Sequence, residues 1–132
     1  MTWQRSDDAL IARVAEGLVV EQAPKATANS LEFFICREPG KPKWWRPLYD
    51  YTDDLLAGHR ALEAWFHKNP EGTYRGAGIS YRSWRPNGHY EVMITEEPIS
   101  AGDEQERLWE GEAATLAEAI ALALRAACEG KR

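Results

Sequence analysis

The sequence predicts an α+β fold: a small, three-stranded, mainly antiparallel sheet packed with three helices in a layered α/β/α sandwich. Three observations predict it. Apolar residues recur at helical spacing in three stretches and alternate at strand spacing in three others. The chain has 132 residues, which suits one domain over residues 1–132 with a single core. Its 44% hydrophobic and 28% charged residues argue against wholesale disorder. The length is short for a doubly wound or barrel-type cofactor fold.

The elements follow in order. Leu10, Ile11, Val14 and Leu18 share one face of a helix near residues 7–18, with Ser6 as cap and Asp7 and Asp8 at its positive end. Glu21–Ser30, holding Pro24 and Asn29, reads as a connector. In Leu31–Arg37, Leu31, Phe33 and Ile35 alternate with Glu32, Phe34 and Cys36, which predicts a strand. Phe34 and Cys36 make its second face apolar, so a helix or loop is expected over that side. Pro39, Gly40, Pro42 and Pro47 predict a loop. Asp50 or Thr52 is expected to cap a second helix with the stripe Leu55, His59, Leu62 and Phe66, flanked by Leu56 and Trp65. Asn69-Pro70-Glu71-Gly72 stops it.

Thr73–Arg85 and Gly88–Glu96 read as a hairpin around Pro86-Asn87-Gly88. Ala77, Ile79 and Tyr81 share one parity, as do Tyr90, Val92 and Ile94 in the partner. Gly76 and Gly78 suggest a bulge or a close backbone approach. Pro98–Glu112 is acidic and reads as partly loop. Leu116, Ile120, Leu124 and Ala127 form a last helical stripe, whose alanine-rich neighbours let it lie close to a sheet.

Charge and cysteine content narrow the function classes. The net charge is −5. Residues 91–132 carry 4 basic against 10 acidic side chains, which opposes wrapping nucleic acid around the whole domain. Residues 31–90 carry 9 basic and 7 acidic, which leaves room for a local basic site. Cys36 and Cys128 form neither a disulfide framework nor a thiolate zinc motif. Met1–Arg13 lacks the pattern of a secretory signal, and the weakly charged stretch Thr115–Leu124 is too short for a bilayer. A cytoplasmic location away from membranes is expected.

The richest candidate surface is the run Lys41-Pro42-Lys43-Trp44-Trp45-Arg46-Pro47-Leu48-Tyr49. Indole and phenol rings give broad contact area at low entropy cost, and interleaved cations orient acidic groups or phosphates. The structural alternative is that Trp44 or Trp45 folds back as a lid on the core. Arg75, Tyr81, Arg82, Trp84 and Arg85 repeat the mixture on the hairpin, where cross-strand aromatic pairing is the plainer reading. The binding residues expected are therefore Lys43, Trp44, Trp45, Arg46, Tyr49, Arg82 and Trp84.

Enzymatic signatures are weak. His59 and His67 stand eight apart on a helix, about two turns, which does not suit chelation of one ion. His59 falls in an apolar stripe and reads as a semi-buried, hydrogen-bonded residue, and His89 sits at a hairpin start. Asp50, Asp53 and Asp54 read as cap and end charges. Glu96, Glu97, Asp103, Glu104, Glu106, Glu110 and Glu112 read as a solvated acidic region. Ser80 and Ser83 lie outside a nucleophile elbow, and Gly72–Gly78 matches no phosphate or dinucleotide loop. No catalytic residue, metal ligand or cofactor is expected.

Three segments carry a family resemblance: Leu10-Ile11-Ala12-Arg13-Val14-Ala15-Glu16-Gly17-Leu18, Tyr51-Thr52-Asp53-Asp54-Leu55, and Ala114-Thr115-Leu116-Ala117-Glu118-Ala119-Ile120-Ala121-Leu122-Ala123. The chain resembles the phage ABA-sandwich family, small phage-encoded domains of unknown function. The resemblance implies an opening helix, a helix after a Tyr/Ser-Thr-Asp segment and an Ala-rich last helix around a small antiparallel sheet. It also implies a phage or prophage setting, with the host cytoplasm as location, and brings no catalytic residues. The function expected is a non-enzymatic accessory domain that binds a protein partner, one version being inhibition of a host defence protein. A small nucleic-acid-associated protein using the central basic–aromatic positions is the alternative.

Overall fold

The computed structural model describes residues 3–22, 34–41, 43–69, 71–82, 89–98 and 106–130. The elements run α1 (Arg5–Val14), β1 (Val19–Gln22), β2 (Phe34–Arg37), β3 (Arg46–Pro47), α2 (Leu55–His67), β4 (Thr73–Arg82), β5 (His89–Pro98), β6 (Arg107–Ala113) and α3 (Leu116–Glu129). The predicted class holds: three helices pack with antiparallel three-stranded sheets in an arrangement consistent with an α/β/α-like sandwich. Among the described residues there are two such sheets, β1-β2-β3 and β4-β5-β6.

The first sheet assembles around α1. That helix starts two residues before the predicted one, because Gln4 caps it through a reciprocal box with Asp7; Ser6 lies inside the helix. It ends at Val14, and the chain reverses through Gly17 at φ +70°, so that Leu18 N–H donates to Ala12 O at 2.9 Å. That reversal creates β1, which pairs with β2 from Val19↔Arg37 to Gln22↔Phe34. The predicted connector therefore begins in a strand. Cys36 is fully buried and Phe34 packs on the core, as their apolar face required. Leu31–Phe33 and Pro24–Ser30 lie outside the described residues. The predicted loop contains β3, whose Arg46 and Pro47 pair with Cys36 and Ile35.

Asp54, rather than Asp50 or Thr52, caps α2, accepting from Ala57 N–H at 3.1 Å. The helix is rotated from the predicted stripe. Ala57, Gly58, Ala61, Leu62 and Trp65 are buried, whereas Leu55, Leu56 and His59 are exposed. Small residues win this face because α2 packs on α3: a Cβ added at Gly58 would stand 3.4 Å from Ile120 Cγ2.

β4 and β5 pair without interruption from Thr73↔Pro98 to Arg82↔His89, so Gly76 and Gly78 mark no bulge. The predicted parity is correct: Ala77, Ile79 and Tyr81 face Ile94, Val92 and Tyr90. Ser83–Gly88 lie outside the described residues. The predicted partly looped acidic stretch contains β6, paired with β5 from Tyr90↔Ala113 to Glu96↔Arg107. α3 lies over β5 and β6, and Ile120, Leu124 and Ala127 are buried as expected. The small side chains permit this close seat. A Cβ at Gly111 would come within 2.2 Å of Ala119 O and 2.6 Å of Ala123 N. Trp65 and Trp109 meet edge-to-face beside it, with centroids 5.8 Å apart at 90°.

Candidate functional site

β2 and β3 form the stem of a hairpin whose tip carries the tryptophans. Short-range bonds shape the tip: Lys41 N–H donates to Glu38 O and Trp44 N–H to Lys41 O, both at 3.2 Å. Gly40 at φ +83° allows the reversal between them. β3 is two residues long and exposed, so it gives the tip little strand surface to pack on. Trp44 is accordingly 74% exposed and Trp45 37% exposed. Lys43 and Arg46 are exposed as well. The tip therefore presents its rings to solvent rather than sealing the core.

The surrounding cations organise these rings. The Arg37 guanidinium lies 5.1 Å from the Trp45 ring centre, and Arg46 lies 4.9 Å from that of Tyr49. Arg60 of α2 reaches the Tyr49 ring at 4.3 Å, while its Nε bonds Glu16 at 2.8 Å. Lys41 pairs with Glu38 at 2.9 Å and holds its carboxyl below the usual range. Glu38, Lys41, Trp44 and Arg46 line an open groove of about 450 Å³. Its walls combine an aromatic plane with both signs of charge.

The hairpin base is fixed to α1. Arg5 donates to Leu48 O at 2.7 Å and Tyr49 O at 3.1 Å, and pairs with Asp8 at 2.7 Å. Asp8 is fully buried and accepts Tyr51 N–H at 3.0 Å. Burial raises its pKa above the ordinary value, against the opposing pull of the Tyr51 amide and Arg5. The Tyr51 phenol bonds Glu16, and burial with that neighbouring carboxylate raises its pKa. This anchor was hidden in the sequence, where Asp7 and Asp8 both read as end charges. Only the return of residues 48–51 against α1 distinguishes them.

The expected site residues thus divide. Lys43, Trp44, Trp45, Arg46 and Tyr49 share the hairpin. Arg82 ends β4 in the other sheet, its side chain lies outside the described set, and Trp84 lies outside the described residues.

The histidines correct one reading. His59 is not semi-buried: its side chain is 61% exposed and lies 3.2 Å from Glu63. His89 is the buried one, with Nε2 2.8 Å from Glu112 and 3.6 Å from Glu91. The β5–β6 register sets Glu91 opposite Glu112, and the three donor atoms lie within 4.8 Å of one another, so the set could hold a divalent cation. An imidazole N–H directed at Glu112, 2.8 Å away, satisfies the same geometry without an ion. Glu96 of the acidic region is drawn into pairs with Arg75 at 2.8 Å and Arg107 at 4.0 Å. Among the described residues no helix is long and apolar enough to cross a membrane.

No family model matches this chain, and no match is found among curated proteins or solved structures. The site is an anchored, solvent-facing aromatic–cationic hairpin.

Proposed function

We propose that this chain is a non-enzymatic protein-interaction domain that grips its partner with the β2–β3 hairpin tip. The exposure of Trp44, 74% on a base pinned by Arg5 and Asp8, carries this reading. An exposed indole on an anchored turn loses little conformational freedom on binding, and centrally placed Trp and Arg residues dominate interface energies. Trp44 and Trp45 supply the buried area, and Lys43 and Arg46 orient acidic or carbonyl oxygens of the partner. A role as a phage or prophage accessory protein acting in the host cytoplasm, one version being inhibition of a host defence protein, rests on the helix resemblance alone.

The test is affinity capture from the native host or infected cells, followed by titration of the retained molecule. Trp44→Ala should weaken binding by about 2 kcal/mol, roughly 30-fold, with a shallow salt dependence. Capture of no protein, or unchanged affinity after Trp44→Ala, defeats the proposal. A steep loss of affinity with salt, on a retained nucleic acid, transfers the site to phosphate recognition.

A further inference from the structure

The β4-β5-β6 sheet carries a second surface, separate from the hairpin. α3 covers β5 and β6, and β4 is left at the edge, paired on one side only among the described residues. Ile79 is 53% exposed and Tyr81 56% exposed, although they share a face with buried Val92. Across from them α2 exposes Leu55 and Leu56, the latter at 73%. Leu55, Leu56, His59, Ile79, Leu116 and Ile120 line an apolar groove of about 460 Å³. Protein edges are ordinarily blunted by charges, prolines, bulges or short strands. β4 has ten residues, an unbroken register and no charge from Gly76 to Tyr81.

We infer that the occupant of this edge is β4 of a second copy, which joins the two sheets into one of six strands. The strand is complementary to itself. A two-fold through Gly78, perpendicular to the sheet, keeps both helical layers on one face and sets Ala77 opposite Ile79 of the second copy, twice. Large then meets small in the row that faces the groove. The same register sets Arg75 opposite Tyr81 and Tyr74 opposite position 82, so the strand's two arginines never face each other. Arg75 is already neutralised within its own chain by Glu96 at 2.8 Å. On the opposite face, glycines at 76 and 78 leave the backbones free to approach. Leu55 and Leu56 of each copy then close over the incoming strand and cover the exposed Ile79. An isologous contact of this kind closes at two copies and leaves no free β4 edge.

Gly78 supplies the test, because a Cβ there meets nothing within 4 Å, so substitution should leave the fold of the single chain intact. Sedimentation of the full chain should give a concentration-dependent mass approaching twice 14.9 kDa. Gly78→Lys sets an ammonium against itself across the two-fold and should weaken the dimer roughly tenfold or more, with unchanged circular dichroism. Gly78→Cys should form an intermolecular disulfide on mild oxidation, since directly opposed strand residues fall within the Cα separation such a bond needs. The wild type, with Cys36 and Cys128, should form none. A wild type that stays monomeric overturns the inference. In that case protected β4 amides in hydrogen exchange would assign the edge to another segment of the same chain. A dimer indifferent to Gly78→Lys overturns it equally, and a dimer whose Gly78→Cys form does not cross-link overturns the register.

Discussion

The hairpin tip and the seam beneath α3 both carry tryptophan and treat it oppositely. At the seam, Trp109 is 4% exposed, with Trp65 set edge-on against it and the Arg75 guanidinium 3.7 Å from the Trp65 ring centre. At the tip, Trp44 is 74% exposed. The indole is identical, so hydrophobicity does not decide between them. The difference lies in how closely backbones can approach. Gly111 and the alanines of α3 let helix and sheet close on each other, which encloses the large rings beside them. The tip hangs from a strand two residues long, both of them exposed. A folded domain buries the aromatic residues its small residues make room for, and those left outside are available to a partner.

Truncation at the two regions should separate most widely. Trp109→Ala should cost about 4 kcal/mol in urea unfolding. Trp44→Ala should change stability by less than about 0.5 kcal/mol. Comparable losses from the two would break the comparison.

The glycines give a sharper version. Gly111→Ala drives a methyl into the backbone of α3 and should destabilise by about 3 kcal/mol. Gly78→Ala, where a Cβ meets nothing within 4 Å of the single chain, should be neutral or gain about 0.5 kcal/mol by restricting the unfolded chain. Denaturant midpoints of the two variants measured together check this.

Asp8→Ala removes the acceptor of Tyr51 N–H and the carboxylate partner of Arg5, at a cost of about 2 kcal/mol. Hydrogen exchange at Tyr51 should accelerate, because the hairpin base loses one of its ties to α1. If the tip stays equally ordered in solution, the anchor is not what holds it.

A smaller effect is the pH dependence of the same residue. Burial raises the pKa of Asp8 in the folded chain above its ordinary 3.8. The native state therefore binds this proton more readily than the unfolded state. The contribution of Asp8 to stability is greatest below 3.8 and declines as pH rises through the raised native value. Asp8→Asn should remove that component from a stability–pH curve. Smallest of all is a contrast in thiol reactivity. Burial pushes Cys128 up to about 12, so a thiol reagent at neutral pH should modify it slowly in the native protein and readily after unfolding.

The helices, the β4–β5 parity and the aromatic–cationic run were legible because each is written in neighbouring residues. β1, β3 and β6 were not. β1 buries Val20 alone, β3 is two residues including a proline, and β6 hides its inward Trp109, Gly111 and Ala113 among arginine and glutamates. Each is a strand because a neighbour distant in sequence supplies its hydrogen bonds. The α2 stripe misled for a related reason. Leucines mark the hydrophobic side of an isolated helix, yet the contact with α3 selects the small side, Ala57, Gly58 and Ala61, and leaves Leu55 and Leu56 outside. The meeting of His89 with Glu91 and Glu112 depends on strand register, which spacing along the chain does not encode.

By itself the sequence determined the α+β class, the positions of three helices and one hairpin, and the chemistry gathered between residues 41 and 49. Those properties follow from periodicity and composition, which act over a few residues. Tertiary structure alone decided that Trp44 faces solvent while Trp109 does not, that Asp8 is an anchor while Asp7 caps, and that β4 is paired on one side only among the described residues. Burial and pairing are properties of what lies opposite a residue, and what lies opposite is set by distant parts of the chain.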